Sequence, residues 1–217
     1  FFATYFNPER RGKVRLYVPV NVLPHLQSRL ADYPGVLAEG DANWWDAFQL
    51  VPVTRGFWHR GQWYDVFPVR HHLPETAYGL RLRGSVVWTG DTRPIPETLA
   101  RHADAGEWVA HDCGLHGNPS HSGIDELERE YPAALLARCV LYHYASAADG
   151  EALRARGHRV ARPGERLALD GRVVAVGLPD GLFEIEREIL VAGRREGESA
   201  ADAAAVAIEA VAAARRE

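Results

Sequence analysis

The chain has no methionine at any of its 217 positions. Position 1 therefore does not read as an initiator, and the opening Phe1-Phe2 has no charged segment and apolar stretch of the export type. Only two cysteines are present, Cys113 and Cys139, too few for a disulfide framework. No apolar run approaches the roughly 20 residues that a membrane-spanning helix needs. With 25 Lys+Arg against 29 Asp+Glu, the formal charge is −4, so no basic excess advertises a surface for coating polyanions. These absences exclude a disulfide-stapled scaffold and a nucleic-acid coat. They lead to the expectation of a reduced, cytoplasmic protein with no membrane partner.

What is present is the composition of a globular domain, 47% hydrophobic and 25% charged, enough to bury a sizeable core. Val14 to Val18 alternates and stops at Pro19, which reads as a strand, and a helix over about Val22 to Leu30 follows. The aromatic and β-branched runs Trp44 to Val53, Phe57-Trp58 and Trp63 to Val69 are broken by Gly and Pro and read as short strands. Ala77 to Leu82 and Ser85 to Thr89 read as a hairpin around Gly84, and Pro96 to Ala105 as a helix. Then come a strand at Glu107 to Ala110, a helix from a Ser122 cap to Tyr131, and a strand at Cys139 to His143. This is an α/β alternation. Further strands are expected at 167–168, 172–177 and 183–191. An alanine-rich tail over 193–217 reads as a helix opened by Ser199, appended to one domain over 1–192.

The chemistry lies in where histidines and acids fall relative to strands. His71 follows the strand ending at Arg70, Asp91 follows the one ending at Thr89, and His143 closes the one ending at Tyr142. Loops beyond strand ends of open α/β sheets collect ligands, because the scaffold fixes them while they stay accessible. Imidazole and carboxylate together suit zinc, manganese or iron. Cys113, Cys139 and His116 match no closed four-ligand zinc spacing.

In order along the chain come His71-His72-Leu73-Pro74 with Ala77-Tyr78-Gly79, then Trp88-Thr89-Gly90-Asp91-Thr92, His111-Asp112-Cys113, Ser120-His121-Ser122 and Leu141-Tyr142-His143-Tyr144. This ordered set resembles the second half of a metallo-β-lactamase-fold hydrolase of the ribonuclease Z-like and phosphodiesterase branch, over about Phe1 to Gly164. The resemblance implies an αββα four-layer sandwich, mostly its C-terminal portion, and a centre of two divalent metal ions, zinc first and manganese or iron as alternatives. It implies His71, Asp91 and His143 as metal ligands, with His72 the rival for the first role. It implies His121 as a catalytic side chain acting on a phosphodiester at a helix opening, and His111 and Asp112 as supports that orient a ligand. The family's His-x-His-x-Asp-His loop is missing among the ten histidines, and by the resemblance Phe1 would fall in the helix that follows it.

The function implied is a metal-dependent hydrolase, first a phosphodiesterase acting on a cyclic nucleotide or other small phosphodiester. RNA, as the 3′ end of a precursor tRNA, fits the acidic balance less well. Trp44, Trp45, Phe57, Trp58 and Trp63 could stack a base, but core packing or a homodimer interface is their commoner use. The competing class is a catalytically inactive binding or assembly module of the same fold.

Overall fold

Alternating apolar positions and tight glycine turns between Gln62 and Trp88 dictate an antiparallel meander, and the computed structural model, which describes residues 1–163, contains it. Contacts divide the chain into two units, Phe1–Phe57 and a second from Trp58 onward, where the sequence suggested one domain over 1–192. The expected strands beyond residue 166 and the 193–217 helix lie outside the described residues.

The first unit contains α1 (Phe2–Tyr5), β1 (Val14–Pro19), α2 (Leu23–Leu30), β2 (Gly35–Leu37), β3 (Gly40–Ala42), α3 (Trp44–Ala47) and β4 (Phe48–Val53). β1 pairs with β4 in parallel, from Val14 opposite Phe48 to Pro19 opposite Val53. Tyr5, Ala42, Ala47 and Phe48 form its buried core, with Phe1, Leu16 and Trp44 packed against them. One expectation is corrected here. Trp44 to Ala47 is a helical turn, not the start of a strand, because Asn43 accepts from Trp45 N at 2.9 Å while Asp46 accepts from Asn43 N at 2.8 Å. That reciprocal cap overrides the β preference of the two tryptophans.

Among the described residues a seven-stranded sheet runs in the order β11-β10-β9-β8-β7-β6-β5. Its strands are β5 (Gly56–His59), β6 (Gln62–Pro68), β7 (Tyr78–Leu82), β8 (Val86–Trp88), β9 (Trp108–Asp112), β10 (Cys139–Tyr142) and β11 (Arg159–Val160). β6, β7 and β8 are antiparallel in turn, whereas β8, β9, β10 and β11 are mutually parallel. The parallel strands are joined through α4 (Pro96–His102), α5 (Ile124–Glu130) with α6 (Ala133–Leu136), and α7 (Ala147–Ala155). α7 is not among the expected elements; Ser146 caps it by accepting from Asp149 N at 3.1 Å. The core of this unit gathers Phe67, Val87, Leu99, Val109, Leu127 and Leu141.

This topology decides where the chemistry goes. β8, β9 and β10 run the same way, so their C-terminal ends share one edge. β6, two antiparallel steps from β8, ends on that edge as well. Asp91 lies just beyond β8, Asp112 is the last residue of β9, His143 follows β10 and His71 follows β6.

Candidate functional site

Asp112 sits at the centre of this edge. Its side chain is fully buried, and each oxygen is satisfied from a different segment. Thr92 N donates to Oδ2 at 2.8 Å. His121 Nδ1 lies 2.8 Å from the same oxygen, and His143 Nδ1 lies 3.0 Å from Oδ1. Asp91 Oδ1 is 3.8 Å from His143 Nδ1. One ligand atom from each of Asp91, Asp112, His121 and His143 lies within 4.8 Å of the others. Two carboxylates and two imidazoles at this spacing are a donor set that fits a borderline divalent cation.

The backbone is shaped to bring these groups together. Gly90 adopts φ +64°, and a Cβ there would meet Tyr78 O at 3.2 Å. The Gly90 carbonyl accepts from Tyr142 OH at 2.6 Å and from Thr89 Oγ1 at 2.8 Å. Asp91 therefore leaves a turn tied to both β8 and β10. His143 itself holds φ +68°, a costly conformation for a residue with a Cβ and one that recurs at functional sites.

His71 lies beside this group. Its Nδ1 is 3.0 Å from the Ser120 carbonyl, which can only accept, so Nδ1 carries the proton and Nε2 holds the lone pair. Its ring centroid is 4.9 Å from that of His121, which is 4.6 Å from that of His143. His72, the rival for the same role, is exposed at φ +52°, with its ring 3.8 Å from His71. His111 stands apart from the cluster of donors. It is fully buried, with Nδ1 2.7 Å from the Asp112 carbonyl and Nε2 2.5 Å from Tyr131 OH. Burial pushes its imidazole below the ordinary histidine value.

The loop that carries His121 begins earlier than the helix it opens. The helix is capped at Gly123, not at Ser122. Ser122 is buried, and its hydroxyl donates to the Thr92 carbonyl at 2.7 Å. Asn118 Oδ1 accepts from Ser120 N and His121 N at 2.8 and 2.9 Å. Arg93 reaches across to the same loop and to Glu126. Against the upward pull of burial, Arg93 and the Gly123 amide hold the Glu126 carboxyl below its usual range. Sequence reasoning passed over Arg93 and Asn118, and took Ser122 only for the cap of the helix. Arg93 stands two residues after Asp91, and that adjacency was the one available signal.

Neither cysteine belongs to the site. Burial pushes the Cys113 thiol up strongly and Cys139 to about 12, so neither supplies a thiolate at neutral pH. No helix among the described residues is long and apolar enough to cross a membrane.

The sequence profile of the family described as "Anti-Pycsar protein Apyc1" matches residues 1–166. No curated protein sequence matches the chain. Among solved structures, the chain is similar to a diphosphatase from the PhnP family, with a TM-score of 0.50 and 17% identity over 69% of this chain and 56% of that one. It is also similar to the metallo-β-lactamase fold protein YhfI from Bacillus subtilis, with a TM-score of 0.52 and 14% identity over 74% of this chain and 67% of that one. The chain thus spans little more than half the length of the PhnP-family structure. The fold is that of a metallo-β-lactamase.

Proposed function

Because the chain belongs to the anti-Pycsar protein Apyc1 family, we propose that it is a metal-dependent phosphodiesterase that opens a cyclic nucleotide. The observation that carries this reading is the convergence of Asp91, Asp112, His121 and His143 at one edge of the sheet. A small cyclic phosphodiester also suits the acidic overall charge better than RNA does.

In this reading Asp91 and His143 hold metal, and His71 supplies a further nitrogen through Nε2. Bound divalent cations, zinc first and manganese or iron as alternatives, lower the pKa of water and neutralise phosphate charge. Asp112 orients rather than reacts. Its two oxygens meet His121 and His143 at their Nδ1 atoms, which leaves each Nε2 directed elsewhere. His121 Nε2 is the proton-carrying atom of the reaction. The balance is one water added: its oxygen joins phosphorus, one ring P–O bond breaks, the departing oxygen takes the Nε2 proton of His121, and of the water's two protons one restores His121 while the other stays on the phosphate or passes to solvent. His111 buttresses the end of β9 and takes no part in proton transfer.

The test is turnover of 3′,5′-cyclic nucleotides and of a precursor tRNA, alongside metal content. Turnover of the cyclic nucleotides is expected. His121→Ala is expected to keep its metal while turnover drops by about 10²-fold or more. Loss of metal in that variant would make His121 a ligand. Absence of turnover by the metal-loaded wild-type protein would leave a binding module in place of an enzyme.

A further inference from the structure

Arg93 joins three segments around the proton donor. Its Nη1 lies 2.7 Å from the Asn118 carbonyl, 3.0 Å from the His121 carbonyl and 2.8 Å from Glu126 Oε2. Nη2 donates to Glu126 Oε1 at 2.5 Å. Its own amide donates to the Arg70 carbonyl at 2.7 Å. The guanidinium is about one-third exposed and Glu126 about one-fifth, so the pair is shielded but not sealed.

The segment it holds has little slack. A Cβ on Gly117 would fall 2.2 Å from Glu126 Oε2, and one on Gly123 would fall 2.2 Å from Gly117 N. Glu126 Oε2 also accepts from Gly123 N at 2.9 Å. Residues 117–123 therefore form a closed turn whose backbone packs directly on the Arg93–Glu126 pair. His121 sits in that turn, and its imidazole reaches Asp112 at 2.8 Å. The carbonyl of the residue that bears the ring is itself an Arg93 acceptor. The same stretch of chain, Asp91 to Arg93, thus supplies a candidate ligand and the clamp on the candidate acid.

We infer that Arg93 is a positioning residue for the reaction: its guanidinium fork fixes the backbone of His121, and so sets where His121 Nε2 meets the departing oxygen. The inference rests on the reading of His121 as proton donor. A lysine cannot replace the fork, because an ammonium is a point donor on a flexible stem and cannot serve a carboxylate edge-on and two carbonyls together. Misplacement by about 1 Å from a change away from the chemistry can cost about 10²-fold in rate.

The experiment measures kcat, KM and metal content for Arg93→Lys, Arg93→Ala, His121→Ala and the double variants. Arg93→Ala is expected to lower kcat by about 10- to 100-fold with metal content kept. Added guanidinium ion is expected to restore part of that loss. Arg93→Lys, which keeps charge and most of the bulk, is expected to show a smaller loss of the same kind, and it carries the test if the alanine variant fails to fold. The deciding result is the cycle: in a His121→Ala background either Arg93 change is expected to cost almost nothing more. Full additivity of the two losses, or an unchanged kcat in Arg93→Lys, would overturn the inference. A His121→Ala variant with wild-type turnover would instead overturn the reading beneath it.

Discussion

His121 and Asp112 are linked directly at the sheet edge: Nδ1 of the imidazole stands 2.8 Å from Oδ2 of a carboxylate with no exposed side-chain surface. That one carboxylate also takes the Nδ1 of His143 at 3.0 Å and the amide of Thr92 at 2.8 Å. It therefore fixes the orientation of two imidazoles at once and aims both Nε2 atoms away from itself. A neutral amide of the same shape cannot. Asp112→Asn turns one acceptor into an NH₂ that faces existing N–H donors. Turnover is expected to fall by about 10²-fold or more, comparable to removing the proton donor. Circular dichroism of the variant checks that the fold is kept, and unchanged kinetics would show that the carboxylate orients nothing.

A second chain of hydrogen bonds runs behind the site in one direction. The Ile95 amide donates to Tyr131 OH at 3.0 Å, and the phenol lies 2.5 Å from His111 Nε2. His111 Nδ1 donates in turn to the Asp112 carbonyl. All four groups are buried, so Tyr131→Phe strands an amide and an imidazole nitrogen away from water. The expected cost is about 1–3 kcal/mol, the usual penalty for buried polar groups that lose their partner. Urea midpoints of wild type and variant check it; coincident curves would show that water reaches these groups.

Stability is expected to fall as pH drops below about 6.5. Burial lowers the affinity of His111 and of His102 for a proton in the folded chain, while the unfolded chain takes protons up near the ordinary value of about 6.5. Below that pH the unfolded state binds more protons, so stability rises with pH and is lost on acidification. Asp65, Glu126 and Glu128, whose folded values are lowered, lose their contribution only in the lower carboxylate range. Denaturation midpoints between pH 8 and 5 isolate the histidine window from the carboxylate one below it. His102→Gln is expected to flatten the upper one, and a midpoint that does not move from pH 8 to 5 would refute the assignment.

Much of this edge was legible along the chain because parallel strands leave a simple signature. Asp91, Asp112 and His143 each stand at or just past the end of an apolar run, and consecutive parallel strands bring such positions together. The resemblance to a metallo-β-lactamase-fold hydrolase named the same positions. What periodicity could not show is how one buried acid is shared: nothing in His-Asp-Cys says that Asp112 serves two imidazoles from two other segments. The role of Arg93 is hidden for a similar reason, since its three acceptors are contributed by residues 25 to 33 positions away. The Trp44 turn was misread because its cap is made by Asn43 and Asp46, and local side-chain hydrogen bonds compete with the β preference of aromatics.

The meander that carries β6 to β8 depends on one missing side chain. Phe67 and Gly79 face each other across β6 and β7. A Cβ at Gly79 would fall 2.5 Å from Phe67 Cζ and 2.8 Å from the Trp88 carbonyl. The phenyl ring is 1% exposed and stacks on His102, with centroids 4.8 Å apart, so it cannot swing into solvent. Gly79→Ala must therefore push either the ring or the β7–β8 pairing out of place. Overpacking of this kind typically costs about 1–3 kcal/mol. A smaller residue opposite should give that room back. Phe67→Leu alone is expected to destabilise by loss of buried area, yet to destabilise less when combined with Gly79→Ala than the two single costs together. A double-mutant cycle on thermal or urea unfolding measures the difference. Strict additivity would mean that the ring and the glycine do not share the space between the strands.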